Sequence, residues 1–339
     1  MIFLRMVPPE VMGGVASGIY KITGSVVRDV ATGRGVAFLQ ETGLMETILK
    51  SPMIGLVNPI AGIANFAMGA VNIGHNQQIK SQLVEVQSSL ALLQNVQIGT
   101  LAVSGLGFGV SVVGFAVMLK HLEGIETHLD TIEAKIDLVT TDRRSDDRRR
   151  IFADVKTHLK SVDRLSTLKI KVSSAEAAER ALGVLAGQTE DLFKQKSDAM
   201  QTGAITSADM DILWSLAAAI RLCHEARLRA LYSIDELGAA KQIAQESAQS
   251  LLIISQTLTP DSLARLCAQS TQDFKAYAEA RRLALPKAEV LVQGLRESVA
   301  SISSQSELAH HLIENQISGP TYLEAVAAER DAPLLMLPA

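Results

Sequence analysis

The sequence predicts a mainly α-helical protein: an elongated helical bundle with one long apolar and coiled-coil helix and a small N-terminal β-hairpin. Three observations carry this. Hydrophobic residues make up 47 % of the chain but aromatics only 4 %, so the apolar mass is Ala, Leu, Ile and Val, which suits closely packed helices. Helix start signals recur through the C-terminal half. Between residues 51 and 119 a glycine-rich apolar region stands apart from the rest.

Strands are expected only within 24–40. Ser25-Val26-Val27-Arg28 and Val36-Ala37-Phe38-Leu39 flank a turn in which Gly33 and Gly35 are placed to supply positive φ. A lone hairpin is marginal in water, so it should dock on helices or pair with another copy. Ser51–Ile79 follows, 29 residues without an Asp, Glu, Lys or Arg, though interrupted by Pro52 and Pro59 and carrying His75. Gly55, Gly62 and Gly69 recur every seven residues there and would form a smooth stripe along a helix. Residues 79–93 are amphipathic.

Val86–Leu119 is 34 residues without a formal charge. Its core, Val96–Leu119, exceeds the roughly 20 residues that cross a bilayer. Gly105 and Gly109 make a GxxxG pair, Gly107 and Ser111 repeat the small-xxx-small spacing, and Gly114 adds a further small residue. In lipid such spacing marks a helix contact face. Phe115, Met118, Leu122, Ile125, Leu129, Ile132, Ile136 and Val139 continue at 3-4 spacing, a coiled-coil stripe suited to oligomerisation. The two runs read as one helix of about 40 residues, roughly 60 Å long. Arg143, Arg144, Arg148, Arg149 and Arg150 come next, mixed with acids. They suit a solvated helix start or anionic lipid headgroups.

From 151 on, helices are expected near 151–170, 174–200, 207–235, 236–257, 260–283, 287–315 and 321–330. Their start signals are Ser173-x-x-Glu176, Thr206-x-x-Asp209, Thr259-Pro260-Asp261, Ser304-x-x-Glu307 and Thr321-x-x-Glu324. The tail after Ala332 is apolar but too short to anchor anything by itself. Four regions result: an N-terminal segment 1–50 with the hairpin, an apolar hairpin 51–120, a coiled-coil helix and charged linker 121–150, and a helical bundle 151–339.

Composition argues against several functions. The net charge of −4 and a pI near 6.0 do not suit a nucleic-acid binder. Cys223 and Cys267 have no metal-ligand spacing, and neighbouring Cys223 and His224 point to different sides of a helix. His121 and His128 stand two turns apart, too far to share a metal. The phosphate loop GxxxxGK[ST], HExxH, paired CxxC and GxSxG are absent. No catalytic residue, cofactor, metal or small-molecule substrate is expected.

The N-terminus lacks an apolar stretch of signal-peptide length. Synthesis in the cytoplasm and later membrane association are therefore expected. Basic residues flank the two apolar runs on their outer sides, and only Lys80 lies between them, so a two-pass hairpin would leave both termini cytoplasmic. Residues 51–140, with glycine-rich apolar helices joined to a long amphipathic one, resemble the α-helical pore-forming proteins. The resemblance implies release of an apolar hairpin into a bilayer and homo-oligomerisation of the long helices. The competing expectation is a soluble, self-assembling helical protein whose apolar helices form its buried core.

Overall fold

A computed structural model describes residues 4–42, 143–201, 205–269, 271, 273–328 and 334–338. The chain is mostly helical, with one small antiparallel sheet. The elements in order are β1 (Arg5–Met6), α1 (Pro9–Ala16), β2 (Tyr20–Thr23), β3 (Val26–Asp29), β4 (Gly35–Glu41), α2 (Arg143–Arg164), α3 (Val172–Gln201), α4 (Ser207–Ser233), α5 (Leu237–Gln256), α6 (Pro260–Ala268), α7 (Phe274–Glu314), α8 (Gly319–Ala328) and β5 (Leu334–Pro338).

The expected hairpin is β3–β4, with Gly33 at φ +71° in its turn. Asp29 braces that turn by accepting from the Thr32 amide at 2.7 Å. Gly35 lacks the positive φ expected of it and begins β4 instead. The sheet is larger than the hairpin, with order β1-β5-β4-β3-β2. Gly24, at φ +61°, and Ser25 make the two-residue turn between β2 and β3. The tail is not idle: Leu335 pairs with Met6 on one side and Gln40 on the other. It thus ties the two ends of the chain into one sheet.

Period-2 alternation sends the side chains of β4 to opposite faces. Ala37 and Leu39 join Val15, Val27 and Met336 beneath α1. Phe38 joins Val26, Leu337 and the bundle core. The bundle-facing side rests on α7 through a stripe at 300, 304, 307 and 311. A Cβ on Gly24 would overlap the Ala300 carbonyl oxygen. The Ser25 and Ser304 hydroxyls share a hydrogen bond of 2.9 Å, Arg28 pairs with Glu307, and Phe38 lies 5.3 Å from the His311 ring. The hairpin is therefore docked on helices, one of its two expected fates.

Among the helices, α3 packs along α4, and α5 and α6 pack along α7. In α2, Phe152, Val155, Leu159 and Val162 hold 3-4-3 spacing and are buried. Thr206 and Asp209 form the anticipated capping box, with the Asp209 amide donating to Thr206 Oγ1 at 3.2 Å. Thr259 caps α6, its partner being Ser262. Two expectations about α7 fail. No helix begins at Ser304; both Ser304 and Glu307 lie inside α7 and turn toward the sheet. The anticipated break near Pro286 is absent too, because α7 runs 41 residues through it. A proline forfeits one helical hydrogen bond, and burial of Ala288, Leu291, Val292 and Leu295 just beyond it holds the helix. The true start is Asp273, whose carboxylate accepts from the Ala276 amide at 2.9 Å.

The last helix starts at Gly319, not at Thr321, after a turn in which Gln316 is at φ +53°, and Asp235, at φ +66° in the turn between α4 and α5, accepts from the Gly319 amide at 2.7 Å. A Cβ on Gly319 would overlap the Tyr232 carbonyl oxygen. Backbone cannot rotate away as a side chain can, so Gly319→Ala is expected to cost about 3 kcal/mol. Urea unfolding monitored by circular dichroism checks this, and an unchanged midpoint would refute it.

Candidate functional site

Most of the residues the sequence singles out lie in the stretch 43–142, outside the described residues: Gly55, Gly62, Gly69, Gly105, Gly107, Gly109, Ser111, Gly114, and the stripe Leu122, Ile125, Leu129, Ile132, Ile136 and Val139. His121 and His128 lie there as well. Arg143, Arg144, Arg148, Arg149 and Arg150 fall in the first turns of α2, and Arg150 is exposed. The junction drawn between 150 and 151 therefore sits inside one helix. Among the described residues no helix is long and apolar enough to cross a membrane, and none of their His, Cys, Asp and Glu groups is arranged to hold a metal ion.

Both points where the chain leaves and re-enters the described fold belong to one body. On the outgoing side, Glu41 of β4 pairs with Leu334 of β5. On the returning side, Phe152 and Val155 of α2 enter the same core as Val26 and Phe38. The hundred residues 43–142, which contain the apolar runs, are thus joined at both ends to a single packed unit.

A second feature lies inside the bundle. Helix α4 is buried nearly all round from Ile212 to Tyr232, yet it carries Arg221, His224, Glu225 and Arg227. Each is matched. Arg221 Nε donates to Glu225 Oε1 at 2.8 Å, and its Nη2 reaches Ser301 Oγ on α7 at 3.4 Å. His224 Nε2 meets Glu190 Oε1 of α3 at 3.2 Å, and Ser250 of α5 donates to Glu190 Oε2 at 2.5 Å. Arg227 donates to Glu179 of α3 at 2.7 Å.

Burial pushes the Glu190 carboxyl up, but hydrogen bonds from His224 and Ser250 outweigh it and hold the group below the usual range. Glu297 of α7 goes the other way. Burial raises it, despite a bond from Gln293 and the nearby charge of Arg221, and its Oε2 has no hydrogen-bond partner among the described residues. These contacts join α4 to α3 and α7, and α3 to α5, so the seam sets how the helices register.

The seam does not assemble a nucleophile with a base. Cys223 is buried and its thiol is pushed up to about 12 by desolvation, so the reactive thiolate is scarce near neutral pH. Its neighbour His224 turns to Glu190, and Ser250 also gives its hydroxyl proton to that carboxylate. Cys267 is half-buried. None of the seam residues except His224 and Cys223 drew attention in the sequence. A usable signal was present: in Ile220-Arg-Leu-Cys-His-Glu-Ala-Arg-Leu-Arg-Ala-Leu231 the charges follow no single face, so some of them must be buried and paired.

No protein-family model matches the chain, and neither a curated protein sequence nor a solved structure does.

Proposed function

We propose that the protein inserts into or perturbs a lipid bilayer with the apolar stretch that its helical body holds at both ends, and that copies associate through the glycine face and the Leu122–Val139 stripe. The observation that carries this reading is the charge-free run Val86–Leu119. A run of that length is uncommon in a water-soluble core and sufficient for a bilayer. The anchoring adds a topological argument. When both ends of a segment are held by one folded body, the segment crosses a bilayer an even number of times. Insertion as a hairpin then keeps the body and both termini on one side, in accord with the basic residues on the outer flanks of the two apolar runs.

Flotation with anionic liposomes, with dye release read in parallel, tests the proposal on wild type and Val112→Asp. Wild type should float and release dye. A carboxylate at the centre of an inserted helix costs about 2.5–3.5 kcal/mol, so the variant should lose roughly two orders of magnitude in insertion. Its thermal unfolding should stay unchanged. Flotation without leakage would indicate an anchored body rather than a pore. No flotation of wild type, with Val112→Asp disrupting assembly or folding, would favour the soluble self-assembling protein.

A further inference from the structure

We propose that the connection between α2 and α3 is a docking surface for an anionic lipid bilayer, formed by Leu168, Ile170 and Val172 together with Lys169 and Lys171. The proposal rests on the membrane reading above but uses residues that follow α2 in the chain, at the end away from Arg143.

After Arg164 the helix closes with a short 3₁₀ turn at Leu165–Thr167, and Leu168 is already extended at φ −83°, ψ 139°. Leu165 before the connection and Ala175 after it are buried and pin both ends. Between them the fold covers little. Ile170 is 79 % exposed, Val172 53 % and Leu168 39 %. Scattered single apolar residues on a surface need no explanation, but here three fall within five residues and alternate with lysines. Over residues 160–172 the cations Lys160, Arg164, Lys169 and Lys171 face one acid, Asp163. Among the described residues neither Lys169 nor Lys171 has an ion-pair partner.

That combination matches a bilayer surface better than a protein. A stable protein interface needs roughly 800 Å² from each partner with complementary shape, which a five-residue connection does not offer. A membrane needs no shape match: apolar tips enter the acyl boundary while lysines remain among anionic headgroups. The position has a consequence. Helix α2, at 22 residues, separates this connection from Arg143 by roughly 33 Å. Contact at both ends of α2 would fix the tilt of the body before or during insertion.

The test uses the full chain with vesicles of phosphatidylserine and phosphatidylcholine, and with phosphatidylcholine alone. The Val112→Asp background removes insertion and leaves surface docking visible. In that background Lys169→Gln/Lys171→Gln should weaken binding to the anionic vesicles about thirtyfold, and Ile170→Ser about tenfold. Lys169→Arg/Lys171→Arg should bind like its parent, and all should unfold at the parent temperature. Unchanged binding in both weakened variants would overturn the docking proposal and leave the insertion reading standing. Dye release by wild type without any anionic-vesicle binding by Val112→Asp would do the same. An altered sedimentation coefficient for Ile170→Ser, with vesicle binding unchanged, would assign the surface to a second copy and also overturn it. If wild type binds neither vesicle, docking and insertion fall together.

Discussion

Replacing Arg221 by Met is expected to lower stability by about 3–5 kcal/mol at neutral pH, and adding Glu225→Met to recover more than half of that loss. The side chains of Arg221 and Glu225 are only 4 % and 7 % exposed. Removing the guanidinium does not merely delete a contact. It leaves a carboxylate in the bundle interior with no countercharge, and that penalty dominates such variants. Taking away the carboxylate as well removes the penalty, which is why buried ion pairs exchanged whole for apolar residues are often nearly neutral. Recovery should be incomplete here, because Arg221 also reaches Ser301 on α7. Denaturant unfolding of both single variants and the double gives the coupling directly. Additive losses would show that the pair does not act as a unit.

How far the fold could be read in advance depended on whether the signal was local. Thr206 and Asp209 form a cap from residues three apart, and the β3–β4 turn is built around Gly33, so both were legible. Ser304 and Glu307 have the same spacing as a cap but owe it to Ser25 and Arg28, on a sheet 279 residues away in the chain. Pattern alone cannot separate a helix start from one turn of a helix facing a partner. Pro286 misleads in the opposite sense: proline's local penalty is real, but the packing of Ala288, Leu291, Val292 and Leu295 overrides it. The buried seam was missed because charged residues in a helix are ordinarily taken as its solvent face. Through Ile212–Tyr232 of α4 there is no such face, and Arg221, His224, Glu225 and Arg227 have instead found partners on α3 or α7 or within their own helix.

Ending the chain at Ala328 should release the N-terminal sheet, although it removes only the last few residues. Strand β5 lies between β1 and β4 in the sheet order, so its loss strips hydrogen-bond partners from both. It also contributes to both faces. Leu337 fills the bundle side with Val26 and Phe38, and Met336 fills the α1 side with Val15 and Leu39. Three buried side chains, Leu335, Met336 and Leu337, at about 1.5–3 kcal/mol each amount to roughly 5–9 kcal/mol as an upper estimate. That is comparable with the whole stability of a typical domain. The bundle keeps its own core, so the loss should fall mainly on residues 4–42. Limited proteolysis should cut the truncated protein within β1–β4 while α3–α7 stay protected. A synthetic peptide of residues 329–339 added in excess should restore protection, because its strand would re-enter the vacated place in the sheet. Equal resistance of the truncated and full-length chains would show that β5 contributes little. Since β4 is also where the chain departs toward the apolar stretch, the same truncation would loosen one of the two anchors on which hairpin insertion depends. Dye release by the truncated protein should then differ from wild type at equal vesicle binding, whereas Arg221→Met, which leaves β4 paired, should not produce that difference.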